Sequence, residues 1–129
     1  MARIRTPSGV SLAPLELSVM QIVWRSGPCT VLEVQRHLTD RHPLAYTTVQ
    51  TVMNKLCRKG KLRRRLNGKA FLYTASISRE STLRSATKDL IERFFLGSVD
   101  DLLMNLINMR TLDRTRLQLI ETVLRDKDG

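Results

Sequence analysis

Between Leu44 and Tyr73 the chain reads LAYTTVQTVMNKLCRKGKLRRRLNGKAFLY, and a helical period gives way there to a charged hairpin. Val49, Val52, Met53 and Leu56 recur at i, i+3, i+4 and i+7, which predicts an α-helix with one apolar stripe against a core. Thr48, Gln50, Thr51, Asn54, Lys55 and Arg58 then share the outward side. Thr47 has the residue type of an N-cap, with Gln50 at capping-box spacing, so the helix is expected to start there. Asn67-Gly68 offers the positive-φ residues of a two-residue turn between the basic run Lys61 to Leu66 and the aromatic-containing run Lys69 to Thr74. Few folds accept a helix of this kind followed at once by a basic hairpin.

The upstream residues narrow the choice. Residues 1–10 mix Arg3, Arg5, Pro7, Ser8 and Gly9 and read as a flexible basic arm, either an idle terminus or one that touches phosphate or a minor groove. Pro14 suits a helical first turn, and Leu15, Val19, Ile22 and Val23 mark one face up to Trp24, before Ser26-Gly27-Pro28 stops the helix. Thr30 and Glu33 form a capping box ahead of Val31, Val34 and Leu38, and Pro43 ends that second helix. Three helices and a basic hairpin over residues 11–75 predict a winged helix whose second and third helices are the helix-turn-helix pair. In the hairpin, Leu62 and Leu66 alternate with Arg63 and Arg65, so the leucines are expected to seal the core. Arg64 shares the leucine side and is expected at the sheet edge with its stem packed and its guanidinium in water. Phe71 and Tyr73 are expected to pack rather than stack on bases.

After Ser76 the strand signals stop. Ser78 caps a helix lined by Leu83, Ala86, Leu90, Ile91, Phe94 and Phe95 that ends at Gly97; Ser98 starts another with Val99, Leu102, Leu103, Leu106 and Ile107. A third follows Asp113 and carries Leu117, Ile120, Val123 and Leu124. The expected fold is therefore mainly α, a winged helix followed by a three-helix domain over residues 76–129. So short a helical segment seldom stabilises itself, and pairing with a second copy is the simplest remedy. Leu90, Phe94, Leu102, Leu103, Leu106, Ile120 and Leu124 are the candidate dimerisation residues.

Charge supports this division. The net charge is +10, and residues 1–75 hold 13 Lys and Arg against 3 Asp and Glu, whereas residues 76–129 hold 9 of each. The excess belongs wholly to the first part, as expected of a polyanion-facing half. No apolar run approaches the ~20 residues of a membrane span and the start lacks a signal-peptide pattern, so a cytoplasmic protein with no membrane partner is expected. Cys29 and Cys57 lie in no metal-ligand spacing and are expected as buried, inert thiols, with no cofactor. Two histidines and two cysteines make no catalytic constellation and no phosphate-binding glycine loop is present, so an enzyme is not expected.

Double-stranded DNA is the expected partner. Gln50 can pair with an adenine edge, and Thr48 and Thr51 can meet thymine methyls, which makes these three the candidate base readers. Lys55, Arg58, Arg63, Arg65 and Lys69 are candidate phosphate contacts, which supply salt-dependent affinity without reading sequence. The alternatives are a nonspecific or architectural DNA-binding protein and a winged helix used for protein contact.

The stretches LAPLELSVMQIVW, CTVLEVQRHL, LAYTTVQTVMNKLCRKGKL and GKAFLY resemble the penicillinase repressor family of bacterial winged-helix regulators, which includes methicillin-resistance and copper-responsive repressors. The resemblance covers most of the chain and weakens after Phe95. It implies a homodimer, held by the C-terminal helices, that represses transcription on inverted-repeat operators. It places Thr47, Thr48, Gln50, Thr51 and Lys55 in the recognition helix and Lys69 in the wing. It further implies inactivation by a sensor or protease that cuts the dimerisation domain, with Asn105-Leu106 as the candidate bond; leucine stands where responsive members carry phenylalanine, and Leu106 read simply as interface core is the alternative. Copper-responsive members carry a cysteine-rich motif, and no cysteine follows Cys57, which disfavours copper sensing.

Overall fold

The computed structural model of the chain describes residues 12–39 and 43–128; the expected arm over residues 1–10 lies outside them. The element order is α1 (Pro14–Ser26), α2 (Val31–Thr39), α3 (Tyr46–Arg58), β1 (Leu62–Asn67), β2 (Ala70–Ala75), α4 (Arg79–Phe94), α5 (Val99–Asn108) and α6 (Arg114–Asp128). The chain divides into two compact units, the first running to Ala86 and the second beginning at Thr87. Among the described residues no helix is long and apolar enough to cross a membrane.

In the first unit the apolar stripes of three helices converge. Val19, Met20 and Val23 of α1, Val34 of α2, and Val49, Met53 and Leu56 of α3 are buried together with Leu62 and Tyr73 of the hairpin. Gly27 ends α1 at φ 77°, a value that suits a residue without Cβ, and its N–H bonds Val23 O at 2.9 Å. The capping box of α2 forms as expected: Thr30 N–H donates to Glu33 Oε1 at 3.0 Å, and Glu33 N–H to Thr30 Oγ1 at 3.2 Å. The hairpin is tied back to the helices by a bridge in which Cys29 N–H donates to Tyr73 O at 3.0 Å and Tyr73 N–H to Cys29 O at 2.8 Å. Trp24 adds a second tie, its indole N–H donating to Ile77 O at 2.9 Å just after the wing.

One ion pair joins α1 to the end of α3. Glu16, only 2% exposed, accepts from Ala13 N–H at 2.9 Å, and Lys59 Nζ lies 3.0 Å from each of its oxygens. Burial alone would raise the Glu16 pKa, but the Ala13 amide, Lys59 and the more distant Lys55 outweigh it and hold the carboxyl below its ordinary value. A depressed pKa means the stabilisation is complete above the unfolded value near 4.5 and is lost as pH falls through the folded value. Glu16→Gln should therefore cost about 1–2 kcal/mol at pH 7, discounted because Lys59 is partly in water, and should flatten the loss of stability in acid. Urea unfolding at pH 7 and pH 3 measures this, and an acid limb identical to that of the unmodified chain would refute it.

The second unit is built from well-capped helices with almost no interior. Leu96 at φ 50° and Gly97 at φ 86° turn the chain after α4, which ends at Phe94, somewhat before the glycine expected to stop it. Ser98 Oγ caps α5 by accepting from Asp101 N–H at 3.1 Å, and Asp113 Oδ1 caps α6 by accepting from Arg116 N–H at 3.0 Å. Neither α5 nor α6 buries a residue, and among the described residues of this unit only Leu112 is buried.

Candidate nucleic-acid interface

The exposed side of α3 carries Tyr46, Thr47, Thr48, Gln50, Thr51, Lys55 and Arg58, and the hairpin adds exposed Arg63, Arg65 and Lys69. All nine residues expected from sequence to meet DNA thus face solvent on two consecutive elements, with short uncharged side chains early in α3 and cations from its last turns onward. Such a surface offers hydrogen-bonding and methyl groups to a major groove and charge to the flanking phosphates.

Several local expectations need correction. Thr47 does not cap α3: the helix begins one residue earlier, its N-cap is Ala45 with no side-chain bond, and Thr47 sits in the first turn, where its carbonyl accepts from Thr51 Oγ1 at 2.8 Å. Its own hydroxyl is therefore not spent on the helix end. The hairpin turn is not Asn67-Gly68 but Gly68-Lys69, because Asn67 pairs with Ala70 inside the ladder. Gly68 at φ 68° takes the first central position, which asks for one left-handed residue rather than two. Lys69 therefore stands at the tip of the wing. Leu66 does not seal the core: it is 66% exposed, since the hairpin runs past the helices after Leu62.

Arg64 also departs from expectation. Its Nη1 donates to Asn54 Oδ1 at 2.7 Å, and its guanidinium carbon lies 4.3 Å from the centre of the Phe71 ring. The same Asn54 oxygen accepts from the buried Tyr73 hydroxyl at 2.8 Å. Asn54 is consequently half-buried and faces the wing, although the helical period alone puts it on the outward side. Lys59 is held by Glu16 instead of joining the cationic surface. Tyr46, 44% exposed in the first turn of α3, adds an aromatic to this surface that the helical period did not single out.

Both cysteines are free thiols, Cys29 buried and Cys57 half-buried. Burial, with Glu33 adding to it, raises the Cys29 pKa; burial also raises that of Cys57 against the opposing pull of Arg64 and Arg58. Both stay protonated at neutral pH, which makes poor nucleophiles and poor metal ligands.

In the second unit, Leu90, Phe94, Leu103, Ile120 and Leu124 are exposed, whereas Leu102 and Leu106 are half-buried. The exposed apolar surface is wider than the expected set, adding Met104 and Ile107 of α5 and Leu117 and Val123 of α6. Asn105 is exposed, its side chain lying 3.4 Å from Met109 Sδ.

Three packed helices, a hairpin wing and the polar outer face of α3 define a winged-helix DNA-binding protein with a helical C-terminal part. The profile of the penicillinase repressor family matches residues 12–126, so the chain belongs to that family. It is 23% identical over 115 residues to the penicillinase repressor of Bacillus licheniformis, covering 89% of this chain and 90% of that one. To the transcriptional regulator BlaI of Mycobacterium tuberculosis it is 33% identical over 81 residues, 62% of this chain and 59% of that one. The solution structure of the DNA-binding domain of the repressor BlaI superposes at a TM-score of 0.50 with 28% identity, covering 54% of this chain and 85% of that one.

Proposed function

We propose that the chain is a transcriptional repressor that binds inverted-repeat operators as a homodimer, with α3 reading bases, the wing holding phosphates and α4 to α6 joining two copies. The observation that carries this is the pairing of two unlike surfaces on one chain: an exposed, uncharged reading face bordered by cations, and the helices α5 and α6, which bury no residue yet expose Leu103, Ile107, Ile120 and Leu124. A dimer of readers fits a two-fold operator because protein and DNA symmetry then coincide. The protein would act in the cytoplasm, on genes governing the response to an antibiotic, as the name of its penicillinase-repressor relative suggests.

The test is selection of binding sites from a random duplex library, followed by binding of the selected and random duplexes at several salt concentrations. A preference of ~10³ or more for an inverted repeat is expected. A ratio near one would leave the alternative, a nonspecific or architectural DNA-binding protein. Lys69→Ala should weaken selected and random duplexes alike and reduce the salt slope by about one, as a lost phosphate contact does. A loss confined to the selected duplex would instead make Lys69 a base reader.

Inactivation by cleavage at Asn105-Leu106 belongs to the same reading. The bond lies within α5, so a protease would need that helix locally unwound, and the cut would separate α6 from the winged helix. Mass spectrometry of the protein from induced cells should find a fragment ending at Asn105; an intact chain alongside derepressed genes would exclude it.

A further inference from the structure

We infer that Arg64 is a pre-positioned phosphate clamp at the junction of α3 and the wing, held for DNA by Asn54 on one side and the Phe71 ring on the other. The inference rests on the DNA-binding reading and adds a residue that neither strand alternation nor the helical stripe assigns to the interface.

Two observations support it. The Arg64 guanidinium is fixed at both an edge and a face: Nη1 donates to Asn54 Oδ1 at 2.7 Å, and the group lies 4.3 Å from the Phe71 ring centre. The anchor is itself immobilised, because Asn54 Oδ1 also accepts from the Tyr73 hydroxyl at 2.8 Å, and Tyr73 is 1% exposed.

The consequence follows from the chemistry of arginine. A guanidinium has five N–H donors in a plane, and among the described residues Arg64 hydrogen-bonds only to Asn54 and remains exposed. Stacking on Phe71 restricts that plane, so the remaining donors are already oriented and little rotamer entropy is left to lose on binding. Asn54 lies one helical turn beyond Gln50 and Thr51 on α3, which sets the clamp at the edge of the reading face. A planar, doubly anchored cation in that place suits a phosphate oxygen pair, and a lysine cannot reproduce it, since an ammonium neither stacks flat nor donates as a fork. Asn54, with its oxygen already shared by two donors, is a positioning residue rather than a reader of adenine.

The experiment compares full-length wild type, Arg64→Gln and Arg64→Lys on the selected operator and on a short random duplex across a salt series. Thermal melts confirm that the exposed substitutions leave the fold intact. Arg64→Gln is expected to lose about tenfold on both duplexes and to lower the salt slope by about one. Arg64→Lys is expected to keep the slope, because the charge remains, yet to lose several-fold in affinity, because the pre-positioning is gone. Unchanged affinity and slope in Arg64→Gln would make the arginine a strut of the wing and overturn the inference alone. Full rescue by lysine would overturn the clamp in favour of plain charge, and a loss restricted to the operator would overturn the phosphate assignment. Wild-type protein that binds neither duplex would remove the DNA-binding reading and the clamp together.

Discussion

Leu103→Asp is expected to yield a monomer that keeps its winged helix and loses about 10²–10⁴ in operator affinity, the factor that linking two binding modules usually contributes. Leu103 is 41% exposed on α5, so the aspartate can sit in water in an isolated chain without disturbing an interior. Against a second copy the same carboxylate would enter an apolar contact with no partner, which costs several kcal/mol. The expected result is thus selective, with folding retained and association lost. Sedimentation read together with anisotropy on full and half operators checks it. A variant that still sediments as a dimer, or a monomer with unchanged operator affinity, would contradict the assignment.

Gln50→Ala should act on base preference and leave general affinity alone. A bidentate contact to adenine is worth about 1–3 kcal/mol of discrimination, and a dimer would lose it at both half-sites, roughly doubling the effect. Binding to random duplex and the salt slope should not move, because the side chain is neutral. Repeating the site selection with the variant measures this directly: degeneracy should appear at one symmetric pair of positions. If the variant weakens every duplex equally, Gln50 belongs among the groups that position the protein, and Thr48 and Thr51 remain as readers.

The helical elements were readable because their signals are local. Val49, Met53 and Leu56 repeat with the turn of the helix, Thr30 and Glu33 face each other at cap spacing, and Ser98 and Asp113 precede apolar stripes; each is found where that pattern puts it. The hairpin was readable as a hairpin but not in its details. Alternation tells which residues share a face, so Leu62 and Leu66 looked equivalent, while how far the helices extend beneath the strand decides that only Leu62 is buried. The turn slipped by one residue because Asn67-Gly68 and Gly68-Lys69 both satisfy the demand for glycine, and the choice lies in ladder register.

The site shows the same boundary. Exposed threonines, Gln50 and cations follow from the helical period, whereas contacts between distant residues leave no trace in local spacing. Glu16 and Lys59 are 43 positions apart, and nothing in either neighbourhood announces the pair. Asn54 is the sharper lesson: the period placed it on a polar side, but its partner, the arginine that broke the strand pattern, is ten residues away on another element. A residue that violates an alternation is a place to look for a cross-element contact.

The chain holds one tryptophan, and its indole N–H is bonded to the carbonyl of Ile77, immediately after the wing. The molecule therefore carries its own fluorophore in α1, bonded to the segment that follows the wing. Emission from Trp24 should shift to the red when that segment lifts away from α1, and it should stay constant when a substitution touches only the DNA face. Unlabelled protein in a single cuvette can then separate loss of docking from loss of binding during the titrations described above.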